Sequence, residues 1–172
     1  LPRQALEHLR AVQNEEEQAV LRRLGVVPPE GQRKIGDITE KVEEYLDSGA
    51  GCCFLNHKPV ADMVGDALRH FDGHRYQLHS YVIMPNHLHV LVTPSEQYSL
   101  SSILHSWKSF TANRANTLLE RTGMEFWQRE SYDHLVRDED DYANIYEYIR
   151  YNPVKAGLVS EPEEWPYLWP KM

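Results

Sequence analysis

The chain has 172 residues, the size of one domain, of which 41% are apolar, 26% charged and 10% aromatic, with 9 Gly and 10 Pro. That composition excludes collagen-like, mucin-like and wholly disordered chains. With 18 basic against 26 acidic residues the net charge is −8, which excludes a protein that coats nucleic acid by bulk charge alone. The acidity is spread: residues 1–100 hold 10 basic and 14 acidic side chains, and the remainder 8 and 12. Cys52 and Cys53 are adjacent, poorly placed for an ordinary disulfide and without C-x-x-C spacing. No run approaches the ~18 apolar residues of a membrane span, and the start shows no signal-peptide pattern. A cytoplasmic protein with no membrane partner is the expectation.

In chain order, Leu6, Leu9, Val12, Ala19, Val20 and Leu24 recur at helical spacing around the acids Glu15 to Glu17, and Gly25 with Pro28-Pro29 ends that helix. Asp37 is expected to cap a second helix through Ile38, Val42, Tyr45 and Leu46, closed by Gly49. A third helix is expected from Pro59 to Phe71. The period then changes from 3.6 to 2: Tyr76 to Met84 and His87 to Thr93 read as two strands joined near Pro85-Asn86. A long amphipathic helix follows from Leu100 to Leu118, with Trp107 expected to pack. After a loop, a last helix spans about Asp138 to Tyr151 and is expected to stop at Pro153. The Trp- and Pro-rich tail reads as an irregular packed strap. One domain over 1–172 is the simplest account, with an acidic helical segment at about 1–50 and the tail at about 160–172.

Two groups of residues carry chemistry. Side chains alternate across a strand, so His87 and His89 share one face while Leu88 and Val90 point to the other. Two imidazoles so placed are a ready pair of ligands for one divalent metal, the alternative being two polar residues on a solvated strand face. On the last helix, Tyr142, Ile145, Tyr146 and Ile149 form the expected buried stripe. Tyr148 lies off it, and Asn152 stacks beside Tyr148 four residues later. A phenol assisted by metal and base can form a covalent phosphodiester, and an amide oxygen suits Mg²⁺ or Mn²⁺; tyrosines on helices also serve simply as packing.

The stretch Tyr81-Val-Ile-Met-Pro-Asn-His-Leu-His-Val-Leu-Val, then Phe126-Trp-Gln-Arg, Tyr132-Asp-His, Arg137-Asp and Tyr148-Ile-Arg-Tyr-Asn-Pro-Val-Lys-Ala-Gly-Leu-Val159 resembles the REP-associated tyrosine transposases. These are relatives of the single-tyrosine transposases of small bacterial insertion sequences and share their HUH (His-hydrophobe-His) nuclease fold. The resemblance runs from about Leu1 to Trp165. It implies an α+β domain: a ferredoxin-like antiparallel sheet with helices on one face, the His pair on a central strand and Tyr148 on a helix crossing nearby. It implies metal ligands His87 and His89, a nucleophile Tyr148, and Asn152 as third ligand where the insertion-sequence enzymes usually have Gln.

The implied reaction is metal-dependent cleavage and joining of single-stranded DNA at a hairpin, through a 5′-phosphotyrosine and a free 3′-hydroxyl. The implied cofactor is Mg²⁺ or Mn²⁺, with no organic cofactor. The implied partner is single-stranded or hairpin DNA near the bacterial nucleoid, met by a monomer or homodimer. Lys108, Gln128, Arg129, Arg137 and Lys155 are the candidate DNA contacts. Asp133 and His134 are a candidate pair near the site or a fixed loop contact, and Trp165-Pro166-Tyr167 is expected to pack. The family's usual strand just before Leu1-Pro2 is missing, so the natural gene product is expected to begin earlier. Two other readings compete: a hairpin-binding protein that does not cut, and a metallohydrolase of a small phosphoester. The acidic balance fits a local basic site that needs a particular DNA shape.

Overall fold

Alternating apolar positions from Tyr76 onward produce the two long strands about which the other described elements pack. The computed structural model describes residues 52–128, 131 and 133–170. The chain divides into two compact units, Leu1–Cys52 and Cys53–Met172, and the described helices and strands belong to the second. The two helices expected before Gly49 lie outside the described residues, as do Arg129 and Tyr132. After a single 3₁₀ turn at Phe54–Asn56 come α1 (Lys58–Arg69), β1 (Tyr76–Ile83), β2 (Leu88–Pro94), α2 (Leu100–Leu118), α3 (Glu139–Lys155), a second 3₁₀ turn (Pro162–Glu164) and β3 (Leu168–Trp169). Among the described residues no helix is long and apolar enough to cross a membrane.

The sheet is antiparallel in the order β2-β1-β3. Its register pairs Val82 with His89 and Ile83 with Leu88, and one irregularity falls between Leu78 and Ser80. Paired residues project to the same face, so this register decides which side of the sheet each histidine takes. Among the described residues the histidine strand is therefore an edge strand, where the sequence suggested a central one. The tail is more regular than a strap. Leu168 and Trp169 add a short third strand along Val82 and Tyr81, and the Trp165 indole N–H donates to the Ile83 carbonyl at 2.9 Å.

The α+β class and the antiparallel sheet match the sequence reading, while the helices divide between two faces rather than gathering on one. Tyr81, Ile83, Leu78 and Tyr76 share a core with Val64 and Leu68 of α1 and with Ile103 and Trp107 of α2. Val82, Met84 and Leu91, on the opposite side, meet Ile149 of α3 and Leu168. Both faces of β1 are apolar and Val82 is fully buried, so one layer of helices could not cover the strand. Tyr142, placed in the buried stripe of the last helix by its spacing, is exposed; Ile149 is buried, and Ile145 and Tyr146 pack partly buried against the same core.

Local chemistry sets the helix ends. Ser99 caps α2 by accepting from the Ser102 N–H, and Asp138 caps α3 by accepting from the Asp141 N–H. Glu139, Asp140 and Asp141 in the first turn of α3 complement its dipole. At the other end α3 continues through Pro153 to Lys155 instead of stopping there. A proline ring costs most in a helix interior. Here the helix needs only two more residues, and Pro153 is buried against the core.

One buried hydroxyl ties three elements together. The Tyr76 OH donates to the Leu68 carbonyl at 2.7 Å, one of the carbonyls left over in the last turn of α1, and accepts from the Trp107 indole N–H at 3.0 Å. Tyr76→Phe keeps the ring but leaves both groups buried without this partner. We expect a loss of about 2 kcal/mol of stability, read by urea denaturation, since unsatisfied buried polar groups cost more than a made hydrogen bond returns. A change below measurement error would mean that both groups find other partners.

Candidate active site

The β1–β2 turn delivers the first histidine. Asn86 stands directly before His87, and its Oδ1 lies 2.8 Å from His87 Nδ1. An amide oxygen only accepts, so this contact places the His87 proton on Nδ1 and leaves Nε2 as a bare lone pair. That Nε2 is shut from solvent and has no hydrogen-bond partner among the described residues. His89 follows on the same face, its ring centre 5.0 Å from that of His87 and nearly perpendicular to it. Two imidazoles bound to one cation through nitrogens at about 2.0–2.1 Å have their ring centres about 5 Å apart, so the pair is spaced for a shared ion.

Helix α3 supplies the other half. Tyr148 stands edge-on to His89 with ring centres 5.4 Å apart. One turn later Asn152, only 1% exposed, donates from Nδ2 to the Tyr148 hydroxyl at 3.0 Å. The same Nδ2 lies 3.4 Å from His89 Nε2, a long contact that marks how close the two elements come. The Asn152 Oδ1 is buried without a hydrogen-bond partner among the described residues. Lys155, the next residue along this side of the helix, holds its ammonium 5.6 Å from the Tyr148 ring centre.

Burial is the main force on the histidines. It pushes His87 down to about 3, with the neighbouring His89 adding to the effect. It pushes His89 down to about 4, with the Lys155 charge adding to it. Both rings are therefore neutral near pH 7 and have lone pairs to give. Among the described residues no third histidine, cysteine or carboxylate joins them to form a ligand cluster. The groups here that could serve a cation are two imidazoles and one amide oxygen, although the Asn152 atom that faces His89 and Tyr148 is Nδ2. Among the described residues His87 Nε2 and Asn152 Oδ1 are buried and unsatisfied acceptors, each of which a cation could satisfy.

The predicted site residues thus fall into two groups. His87, His89, Tyr148, Asn152 and Lys155 converge. Lys108 and Gln128 meet each other instead: the Lys108 ammonium donates to the Gln128 carbonyl at 2.9 Å, and the Trp127 indole beside it donates to Thr111 Oγ1 at 2.7 Å. These bonds hold the 126–128 segment on α2. Arg137 is exposed at the start of α3, roughly 15 Å along the helix axis from Tyr148, and its main-chain N–H donates to Asp141. His134 bonds Asp141 rather than Asp133, a fixed contact between the loop and the helix start. Arg129 lies outside the described residues. Asn86, read from sequence only as a turn residue, proves to orient His87; an amide immediately before a strand histidine was its signal.

A family model described as "Transposase IS200 like" matches residues 55–152. A Haemophilus influenzae protein, by name a candidate REP-associated tyrosine transposase, is 34% identical over 98 residues, covering 49% of this chain and 53% of its own. The REP-associated tyrosine transposase of Escherichia coli K12 is 28% identical over 94 residues, covering 54% of this chain and 53% of its own. The chain spans about half the length of the curated relatives it matches. A solved REP-associated tyrosine transposase bound to a REP hairpin aligns over 69% of this chain and 68% of that one, with a TM-score of 0.54 and 21% identity, a likeness of fold. The family match covers more than half of the chain and takes in His87, His89, Tyr148 and Asn152, so the chain belongs to the IS200-like transposase family.

Proposed function

We propose that this chain cleaves and rejoins single-stranded DNA beside a hairpin, with Tyr148 as nucleophile and His87, His89 and Asn152 as holders of Mg²⁺ or Mn²⁺. The observation that carries the reading is the Tyr148 hydroxyl, 3.0 Å from Asn152, whose amide in turn reaches toward His89. When bound, the ion would polarise the scissile phosphate and offset its charge. The phenol oxygen forms a bond to phosphorus, and the bond to the 3′ oxygen breaks. The phenol proton is given up as the 3′ oxygen leaves and takes a proton as a hydroxyl. The 5′ phosphate stays on Tyr148, and attack by a 3′-hydroxyl reverses the step without any outside energy source. Asn152 aims the phenol, and Asn86 keeps the His87 lone pair available.

A hairpin substrate is supported by the fold relative bound to a REP hairpin. The net charge of −8 argues the same way, because a protein so acidic gains little from bulk attraction to DNA and must depend on local shape and contacts. The test is a hairpin oligonucleotide with single-stranded flanks, incubated with Mg²⁺ or Mn²⁺ and resolved on a denaturing gel. A covalent protein–DNA band is expected, carrying label placed 3′ of the cut and lacking label placed 5′ of it. Chelation with EDTA should remove the band. Hairpin binding with no covalent band under any metal would identify a binding module instead.

A further inference from the structure

We propose that a cleft between Arg75 and the start of α2 binds a backbone phosphate of the hairpin stem, far from the cut, with Arg75 as its anchor. This rests on the hairpin reading above but not on the metal or the nucleophile. The cleft measures about 210 Å³, and its lining includes Phe71, Arg75, Tyr98, Ser102 and Ser106. Arg75 is held there by its own backbone: its N–H donates to the Phe71 carbonyl, and its carbonyl accepts from the Ser95 N–H, both at 3.0 Å. Its guanidinium carbon lies 3.6 Å from the Phe71 ring centre and 5.6 Å from that of Tyr98. So close an approach to Phe71 requires the guanidinium to lie flat on the ring, because an N–H pointed into it would hold the carbon farther away.

Lying flat uses the face of the guanidinium and directs its in-plane N–H donors past the ring, as the fork that matches two phosphate oxygens. Ser102 donates its hydroxyl to the Ser99 carbonyl at 2.7 Å. The hydroxyls of Ser106, one turn later, and of Tyr98, 38% exposed, add donors to the same cleft. The carboxylate nearest along the chain, Asp72, accepts from the Leu78 N–H at 2.7 Å. Position then selects the part of the DNA. Tyr76 pairs with Pro94 and Val82 with His89, so the cleft lies toward the end of the sheet away from the histidine pair. From Tyr76 to Val82 is six residues, about 20 Å of strand. A duplex advances about 3.4 Å per base pair, so a stem of more than about six base pairs is long enough to span that distance. A rigid duplex loses less freedom than a flexible single strand in holding two such distant points, which favours the stem as the occupant.

The test measures hairpin affinity by fluorescence anisotropy over a range of salt concentrations, in EDTA so that no DNA is cut. Two hairpins with the same single-stranded flanks are compared, one with a stem of about twelve base pairs and one of about four. Arg75→Met keeps an apolar chain on Phe71 and removes the charged fork. It should bind the long hairpin about fivefold to tenfold more weakly than the parent, with a plot of log affinity against log salt shallower by about one. Arg75→Lys should keep the parent's salt slope. On the short hairpin, parent and Arg75→Met should bind alike, a result that also shows the variant to be folded. An Arg75→Met protein that matches the parent on the long hairpin would overturn the phosphate contact while leaving the hairpin reading standing. Equal weakening on both hairpins would trace the effect to the flank or to the fold and would overturn the stem contact. A parent that binds the long hairpin no better than an unstructured strand of equal length would overturn the hairpin reading itself, and this proposal with it.

Discussion

Replacing Tyr148 by Phe is expected to abolish the covalent protein–DNA adduct and to cut strand cleavage more than about a thousandfold, while hairpin affinity stays within about twofold. The reason is that Phe keeps almost everything except the reacting atom. The ring remains edge-on to His89, where the present centres are 5.4 Å apart, and the helix stripe keeps its shape. What disappears is the oxygen that accepts from Asn152. Because Asn152 is buried, the loss of that acceptor should also cost about 1 kcal/mol of stability, a secondary effect visible in a denaturation curve. Cleavage and denaturation must therefore be measured on the same preparation. If the Phe variant cuts as well as the parent, Tyr148 is packing and the nucleophile lies elsewhere. If neither protein cuts but both bind the hairpin equally, the family's fold has been kept in this chain for recognition alone.

How much of this was legible in the sequence depends on how local each feature is. The His87-Leu88-His89 pair was readable because strand alternation is a property of three consecutive residues, and the observed register places His89 opposite Val82 on the α3 side of the sheet. The Tyr148–Asn152 contact was readable for the same kind of reason, since side chains four apart on a helix meet. The span of α2, Leu100–Leu118, followed from apolar spacing, while its Ser99 cap emerged only with the fold. Features set by distant chain segments were not readable. Tyr142, Tyr146, Tyr148 and Tyr151 surround α3 with aromatics on several sides, so spacing alone could not say which would be buried or which face of the sheet the helix would cover. Lys108 looked like a phosphate contact because its charge is visible, whereas the Gln128 carbonyl that it meets 20 residues later is a main-chain atom brought there by the fold. The burial of Asn152, on which its positioning of Tyr148 depends, also arises only once α3 packs on β1 and β2.

The metal-free protein is expected to lose stability steeply as the pH is lowered from 7 to 5, and the two site histidines should account for much of the loss. An unfolded histidine titrates near 6.5, while burial holds His87 and His89 in the folded protein at about 3 and about 4. Between those values the unfolded chain binds more protons than the folded one, so stability falls as pH falls. The contribution is fully present above about pH 6.5 and continues to drain until the pH reaches the folded values. Each histidine should cost about 1–2 kcal/mol between pH 7 and pH 5, a large share of the 5–15 kcal/mol typical of a domain. Asp141 and Glu163, whose carboxyls are held below their usual range by His134 and Arg150 respectively, add to acid loss only at lower pH. Urea denaturation in EDTA from pH 7.5 to 4.5 provides the measurement. His87→Gln with His89→Gln puts neutral amides in place of the two titrating rings and should flatten the slope between pH 6.5 and 5 even if the variant is less stable overall. A slope as steep as the parent's would mean that other groups govern acid sensitivity and that the imidazoles take up protons freely in the folded state, a condition at odds with a site that presents neutral nitrogens to a cation.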